Sequence, residues 1–366
     1  MLKTFLRVRL IFLTYRLATL KSRTRTFYAI KIKHEHDIFK IEKESDTTDE
    51  RVLILTLWPR LGILPSIQRV LNQAEKSKVQ VICIVNKSPY PEYEIWLNYL
   101  TSQKITVITR SNLGRDFGAY RAGFEYLRKT GKLTRIHQLF FINDSTYWFN
   151  NSEEILSRFL ATKQPWHSLF INKQFDLHAQ SFALSFDHSI INSKYFMDYW
   201  KSYYPSNERY HAIMKGEMKL SKLLLKKAII PTSELNPSLI SKIEEVEDEM
   251  LLPVLNSAFN TGHNLLVLKR LTYLSKNFLD YNLGVVVDNL NPAHHLGILL
   301  TRHFGFPLKL DLPKTGLVTN QAIYSLLNGF AAEDEMLDLL SYIQSTGTNA
   351  TRRGIKAHWA SVGLIS

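Results

Sequence analysis

The chain has 366 residues, 45% of them hydrophobic and 22% charged, enough apolar material for one large core or two modest ones, which confines disorder to short segments. Lys and Arg outnumber Asp and Glu by 46 to 33, a formal net charge of +13, so an acidic partner or surface is expected: nucleic acid, anionic lipid or a phosphorylated substrate. The single cysteine, Cys83, excludes an intramolecular disulfide, fits a reducing compartment and, inside the run VICIV, reads as a core residue.

The first 25 residues carry Lys3, Arg7, Arg9, Arg16, Lys21, Arg23 and Arg25 and no acid. Leu2, Leu6, Leu10, Leu13, Leu17 and Leu20 recur there at helical spacing beside Phe5 and Phe12. Such a basic amphipathic helix suits an anionic membrane surface, or packs on the domain with its basic face solvated; both readings stand. A span or signal peptide is not expected, because the arm's longest uncharged run, Leu10 to Tyr15, is six residues against the roughly 20 that a spanning helix needs. Basic residues elsewhere are scattered and carry no recognised nucleic-acid motif, so no nucleic-acid partner is expected. Residues 33–50, KHEHDIFKIEKESDTTDE, read as a loop or weak hairpin. Within them His34, His36 and Asp37 lack a second ligand cluster and read as solvated surface.

From Arg51 regular alternation begins. Short apolar runs at 52–57 (VLILTL), 79–85 (VQVICIV), 104–109 (KITVIT) and 139–142 (LFFI) are separated by amphipathic stretches at 64–76, 91–103 and 119–131. Strand and helix alternating at this spacing predict a parallel sheet with right-handed crossovers. Farther on, 178–186 (HAQSFALSF) reads as one strand, 192–203 as an aromatic-rich helix and 215–228 as a strong helix with Glu217 near its start. Residues 244–281 read as mostly helical, 289–313 as a turn, a helix and an extended segment, and the tail from Thr319 as one more helix. No internal repeat or low-complexity tract is present.

In such sheets ligands bind beyond the carboxyl ends of the strands. Two polar clusters fall there: Arg110 to Phe117, within RSNLGRDFGAY, and Asn143-Asp144-Ser145. The first is neither a Walker A motif nor a G-x-G-x-x-G fingerprint, since its glycines stand at 114, 118 and 123 after the third strand. It reads as a turn needing Gly114, with Arg115 placed to clamp a pyrophosphate and Asp116 to accept from a base or sugar hydroxyl; alternatively the two charges only staple the turn. Asp144 ends a strand that should be buried, so it must be paired, bind a metal or face a polar cleft. A divalent ion bridging a diphosphate is one use for it, although no second acid adjoins it in the sequence; turn capping by Asp144 and Ser145 is the other.

The order NLGRDFGAY (112–120), INDS (142–145), HAQSF (178–182), GE…LS (216–221) and NPAHHLGILLTRHFGFPLKLDL (291–312) resembles the rhamnan synthesis protein F family over roughly residues 50 to 315. The resemblance implies a GT-A-like, Rossmann-type α/β domain with a mostly parallel sheet flanked by helices and a helical C-terminal extension. The expected division is a basic arm and linker (1–50), a nucleotide-sugar-binding core (51–235), a helical part with the Asn-Pro-x-His and Pro-x-Lys segments (236–315) and a helical tail (316–366). The implied activity is a glycosyltransferase of bacterial surface polysaccharides, with an inverting single displacement. Its donor would be a nucleoside-diphosphate sugar such as thymidine-diphosphate rhamnose. Its acceptor would be a lipid-linked saccharide at the inner face of the cytoplasmic membrane.

By that resemblance Asn86 meets the base, while Asn112, Gly114, Arg115, Asp116, Asn143, Asp144 and Ser145 hold the rest of the donor. Asp144 is the expected ligand of Mg²⁺ or Mn²⁺. Glu217 is the expected base for the acceptor hydroxyl, with Asp176 and His178 as alternatives, or else a surface helix residue. Gln180 and Ser181 would line the acceptor side, and His294 and Lys309 would close over the diphosphate. The chain departs from the family pattern in lacking the full Asp-x-Asp motif, in Gly297 where a tryptophan is expected, and in its tail beyond 315. The competing expectations are a non-catalytic module binding a glycan or a partner enzyme, and a membrane-surface scaffold acting through residues 1–25.

Overall fold

The computed structural model describes residues 39–45, 50–173, 176–236, 291–312 and 320–346, with isolated positions 20, 24 and 239. The expected arm helix (apart from Leu20 and Thr24), the His34, His36 and Asp37 cluster and the helical stretch 244–281 lie outside the described residues.

The expected alternation is present. Strand β1 is Phe39–Lys43, β2 Arg51–Leu57, helix α1 Pro65–Lys76, β3 Gln80–Asn86, α2 Glu92–Ser102, β4 Thr106–Arg110, α3 Arg115–Lys129 and β5 Gln138–Asn143. Next come β6 (Thr146–Tyr147), α4 (Glu153–Ala161), β7 (Trp166–Ser168), β8 (Ile171–Asn172), β9 (His178–Ala179) and β10 (Ala183–Asp187). They are followed by α5 (Lys194–Ser202), α6 (Met218–Leu225), β11 (Thr232–Ser233), α7 (Gly297–Phe304), β12 (Leu308–Lys309), α8 (Asn320–Leu327) and α9 (Glu333–Thr346).

Eight strands form one sheet in the order β1-β4-β3-β2-β5-β10-β7-β11. The central four, β4, β3, β2 and β5, are mutually parallel, whereas β1 and β10 run antiparallel to their neighbours. The chain is thus a mixed α/β protein with a mostly parallel central sheet.

Because successive side chains point to opposite faces, each central strand feeds two cores. Leu53, Leu55, Val81, Cys83, Val107, Phe140 and Ile142 face one, where α1, α2, α4, α7, α8 and α9 pack. Val52, Ile54, Ile82, Ile84, Ile108, Leu139 and Phe141 face the other, covered by α3, α5 and α6. There Trp200 stacks with Phe117, Phe124 and Phe141 at centroid distances of 6.2, 5.9 and 5.7 Å. Cys83 is fully buried, as a core residue should be. No described helix is long and apolar enough to cross a membrane.

Three expectations change. The 33–50 passage contains edge strand β1, paired antiparallel with β4 from Phe39 opposite Arg110 to Lys43 opposite Val107. Residues 178–186 are two strands: His178–Ala179 pair with β8, and Ala183–Asp187 enter the main sheet. Ser181, between them, turns its N–H to a side chain instead of a ladder. The tail is two helices, broken where Gly329 takes φ 77°.

Helix α9 is fastened by a buried ion pair. Arg69 on α1 reaches Glu335 at 2.7 Å and also donates to Asn150 Oδ1 (2.7 Å) and the Trp148 carbonyl (2.6 Å). Glu335 accepts in turn from the backbone N–H groups of Asn150 and Ala332. Removing one partner leaves the other charge uncompensated. Glu335→Ala should therefore cost about 3 kcal/mol in a urea titration, and Glu335→Gln less.

Candidate functional site

Parallel registry brings the ends of β2, β3, β4 and β5 to one edge, with Thr56 opposite Asn143 and Asn86 opposite Arg110. Antiparallel β10 begins at that edge, Ala183 opposite Ile142, so Gln180 and Ser181 arrive there too.

At the end of β5 the buried Asn143 side chain works in two directions. Its Nδ2 donates to Asp116 Oδ2 at 2.8 Å, and its Oδ1 accepts from the Ser145 N–H (3.1 Å) and hydroxyl (2.5 Å). Between them Asp144 donates its N–H to the Thr56 carbonyl and accepts from the Trp58 N–H at 2.6 Å through Oδ2. Lys309 donates to the Ser145 hydroxyl at 2.9 Å, and β12 pairs with β6 just beyond. The structure therefore draws Lys309 to Asn143-Asp144-Ser145.

The glycine turn is fixed by close contact. Gly114 has φ 84°, donates its N–H to Asn207 Oδ1 at 2.7 Å, and would carry a Cβ 2.3 Å from Pro205 Cβ. A Cβ on Gly118 would lie 2.2 Å from the Leu113 carbonyl oxygen. Arg115 follows with φ 49°, a left-handed conformation costing a non-glycine residue about 1–2 kcal/mol, and its side chain is exposed. Asn112 is half-buried in the same turn. Underneath, buried Arg110 donates to Asn86 Oδ1 (2.6 Å) and to the Leu113 carbonyl (2.5 Å), and burial lowers its guanidinium to about 10. Asn86, expected to meet a base, is 2% exposed with its oxygen taken by Arg110; it supports the turn from below.

Burial pushes the Asp144 carboxyl up to about 7, and the nearby Asp116 charge pushes the same way against the Trp58 N–H and Arg60. Burial also raises Asp116, opposed by Lys309 and Arg115. The second acid absent from the Asp144 neighbourhood in sequence is thus Asp116, brought by the first turn of α3. Two carboxylates, one of which raises the cost of the other's charge, with cations around them, suit a site for a divalent ion shared with phosphate oxygens. Asp144 also lines a recess with Trp58, Arg60, Trp96 and Tyr342, in which the Arg60 guanidinium stacks 3.7 Å from the Trp58 ring.

The opposite wall is a π-helical turn, Ala212–Glu217, that runs into α6. Gly216 lets this turn press on Phe117, where a Cβ would sit 2.6 Å from the ring. Glu217 Oε1 accepts from the Ser181 N–H (3.0 Å) and hydroxyl (2.5 Å), and His178 Nε2 stands 3.9 Å from Oε2. His178 Nδ1 donates to the Asp176 carbonyl, while the Asp176 carboxylate pairs with Lys222 at 2.6 Å on the exposed surface. Of the three expected catalytic residues, Glu217 and His178 meet and the Asp176 carboxylate points elsewhere. Gln180 is buried near them, its Oε1 without a hydrogen-bond partner among the described residues. Tyr120 of α3 donates to the Ser181 carbonyl at 2.9 Å, joining this wall to the glycine turn.

Asp311, which lies in the closing segment 291–312 but was given no role there, pairs with Arg209 at 2.8 Å and lies 3.7 Å from His294 Nε2. Burial works to raise its carboxyl, but Arg209, Lys309 and His294 together hold it well below the usual carboxylate range. The sequence signal for Asp311 was its place two residues after Lys309 in the extended run LKLDL, and Arg60, Arg209 and Tyr342 carried none.

The raised Asp144 carboxyl fixes a sign. Its folded value of about 7 lies above the roughly 3.9 of an unfolded aspartate, so this group's contribution to stability is complete below about 4 and is lost as pH rises through 7. Between pH 5 and pH 8 the urea midpoint of the wild type should fall, and Asp144→Asn should lessen that fall.

Comparison with known proteins agrees with the motifs. Residues 81–242 match the family model described as Rhamnan synthesis protein F. A protein of Sinorhizobium fredii named uncharacterized protein y4gN is 26% identical over 189 residues, 50% of this chain and 47% of that one, so the chain spans about half the length of this curated relative. The matched family is the one that the GRDFGAY and NDS motifs resemble.

Proposed function

We propose that the cleft binds the diphosphate of a nucleoside-diphosphate sugar and transfers the sugar with inversion to a surface-polysaccharide acceptor, in a GT-A-like arrangement with a helical C-terminal extension. The observation that carries this is the gathering of Asp116, Asp144, Arg115 and Lys309 at the carboxyl edge of the parallel strands, against the fixed Gly114 turn. The family description, rhamnan synthesis, supports polysaccharide synthesis as the setting and thymidine-diphosphate rhamnose as the donor to try first.

Asp144 and Asp116 are the residues that would hold Mg²⁺ or Mn²⁺. Such an ion, when bound, neutralises charge developing on the leaving diphosphate. Arg115 and Lys309 supply the remaining positive charge, and Ser145 orients the Lys309 ammonium. Glu217 takes the proton of the acceptor hydroxyl as the glycosidic bond forms, with Ser181 fixing the carboxylate and His178 standing at its second oxygen. The basic arm, residues 1–25, would hold the protein at an anionic membrane where a lipid-linked saccharide lies.

Two experiments test this. In calorimetric titrations of a panel of nucleoside diphosphates with Mg²⁺ or Mn²⁺, one nucleotide should bind at micromolar concentration, and Arg115→Ala or Asp144→Asn should weaken it at least ten-fold. A folded protein that binds none of the panel refutes the donor site. Glu217→Gln should slow transfer about 100-fold or more while nucleotide affinity stays within two-fold; equal transfer rates would remove Glu217 as the base.

A further inference from the structure

We infer that Arg209, together with Arg115 and Lys309, forms the anion subsite of this cleft, and that Asp311 is its resident counter-ion, which an entering diphosphate displaces. The inference rests on the diphosphate reading above and names how its phosphates are held.

Three cations reach this point from three separate elements. Arg115 opens α3, Lys309 lies on β12, and Arg209 starts the short helix Arg209–His211. The loop before Arg209 is locked to the glycine turn: Pro205 abuts Gly114, and Asn207 Oδ1 accepts the Gly114 N–H. Arg209 and Arg115 are therefore held on adjoining backbone, and the Arg209 charge acts on the exposed Arg115. Lys309 rests on a neutral hydroxyl, Ser145 Oγ, and over the Phe182 ring at 4.8 Å. Among the described residues its ammonium has no salt bridge.

Asp311 is the carboxylate paired directly with this group, and it is paired on one side. Oδ2 meets Arg209 at 2.8 Å, whereas Oδ1 is buried with no hydrogen bond among the described residues, His294 Nε2 lying 3.7 Å away. The two side chains of the pair are 31% and 25% exposed, so an anion entering from solvent can reach the Arg209 guanidinium. A phosphate group offers a guanidinium two parallel acceptors and carries more charge than a carboxylate. It competes well for Arg209. Asp311 thus keeps like charges tolerable while the cleft is empty and opposes anions that enter it.

Titration of the full chain with inorganic pyrophosphate tests this, because the probe contains the proposed ligand chemistry and no base or sugar. Asp311→Asn, folded as judged by its thermal melt, should bind pyrophosphate about ten-fold more tightly than wild type, the effect of removing one like charge at close range. Arg209→Gln should bind about ten-fold more weakly and Arg209→Lys within three-fold of wild type, so this pair carries the test even if Asp311→Asn does not fold. Asp311→Asn binding no tighter than wild type, Arg209→Gln binding unchanged, or no pyrophosphate binding to any folded variant would overturn the inference. The nucleoside-diphosphate panel separates the two readings. Pyrophosphate tightening without any nucleotide binding sinks the donor reading alone, and nucleotide binding indifferent to Asp311 and Arg209 sinks this one alone.

Discussion

One side chain, the carboxamide of Asn143, ties the cleft together. Strand β5 delivers it at 1% exposure, where an amide must spend every polar atom on a partner. Its Nδ2 reaches Asp116 on α3, and its Oδ1 gathers the Ser145 N–H and hydroxyl. A buried carboxylate and the Ser145 turn are thereby fixed relative to the strand. Asp144, caught between them, has little freedom left, since its N–H and one carboxylate oxygen are held by Thr56 and Trp58 of β2 and the loop after it. The result is two acids close enough for one to oppose ionisation of the other. That arrangement costs stability, and a cationic ligand or a ring of cations relieves it.

A second constraint is steric. Gly114 against Pro205, Gly118 against the Leu113 carbonyl and Gly216 against Phe117 are three places where backbone approaches too closely for any side chain. Together they press the turn after β4, the loop 203–208 and the π-helical turn into one block. Glu217 and Arg209 sit at the two ends of the short helical stretch that emerges from this block, so their separation is set by backbone contact and not by flexible side chains. Arg115, in a left-handed conformation directly after Gly114, is strained at the same spot.

Most of the sheet was legible because its central strands are buried on both faces and read as continuous β-branched runs, VLILTL and VQVICIV above all. Edge strand β1 was not, since a strand with one exposed face and alternating Lys and Glu has the composition of a loop. The break inside HAQSFALSF was hidden because Ser181 leaves the ladder for a contact with Glu217, 36 positions away. Gly114, Arg115 and Asp144 stood out by position, since glycine and charge at the ends of apolar runs need a reason. Asp116 as partner to the Asp144 site depended on an Asn143 contact across 27 positions. The contact between Asn86 and Arg110 was not legible, because it joins neighbours across the ladder 24 positions apart.

The matched segment, residues 81–242, does not contain the whole site. Strand β2 lies between β3 and β5 in the middle of the sheet, and its removal would leave two strands with unpaired edges and both cores open. The same strand leads to Trp58 and Arg60, which hold Asp144 by a hydrogen bond and by charge. From the other end of the chain come Lys309, Asp311 and Tyr342, the last held over the recess on the helix that Arg69 and Glu335 clamp down. The matched segment does contain the places where backbone geometry is most demanding, the glycine turn and the end of β5. The charges that balance that centre are drawn from flanking segments, where a point charge of the right sign can be supplied from more than one backbone position. Differences in ligand preference between relatives should accordingly lie in those flanks, in Arg60, Lys309 and Asp311, more than in the turn itself.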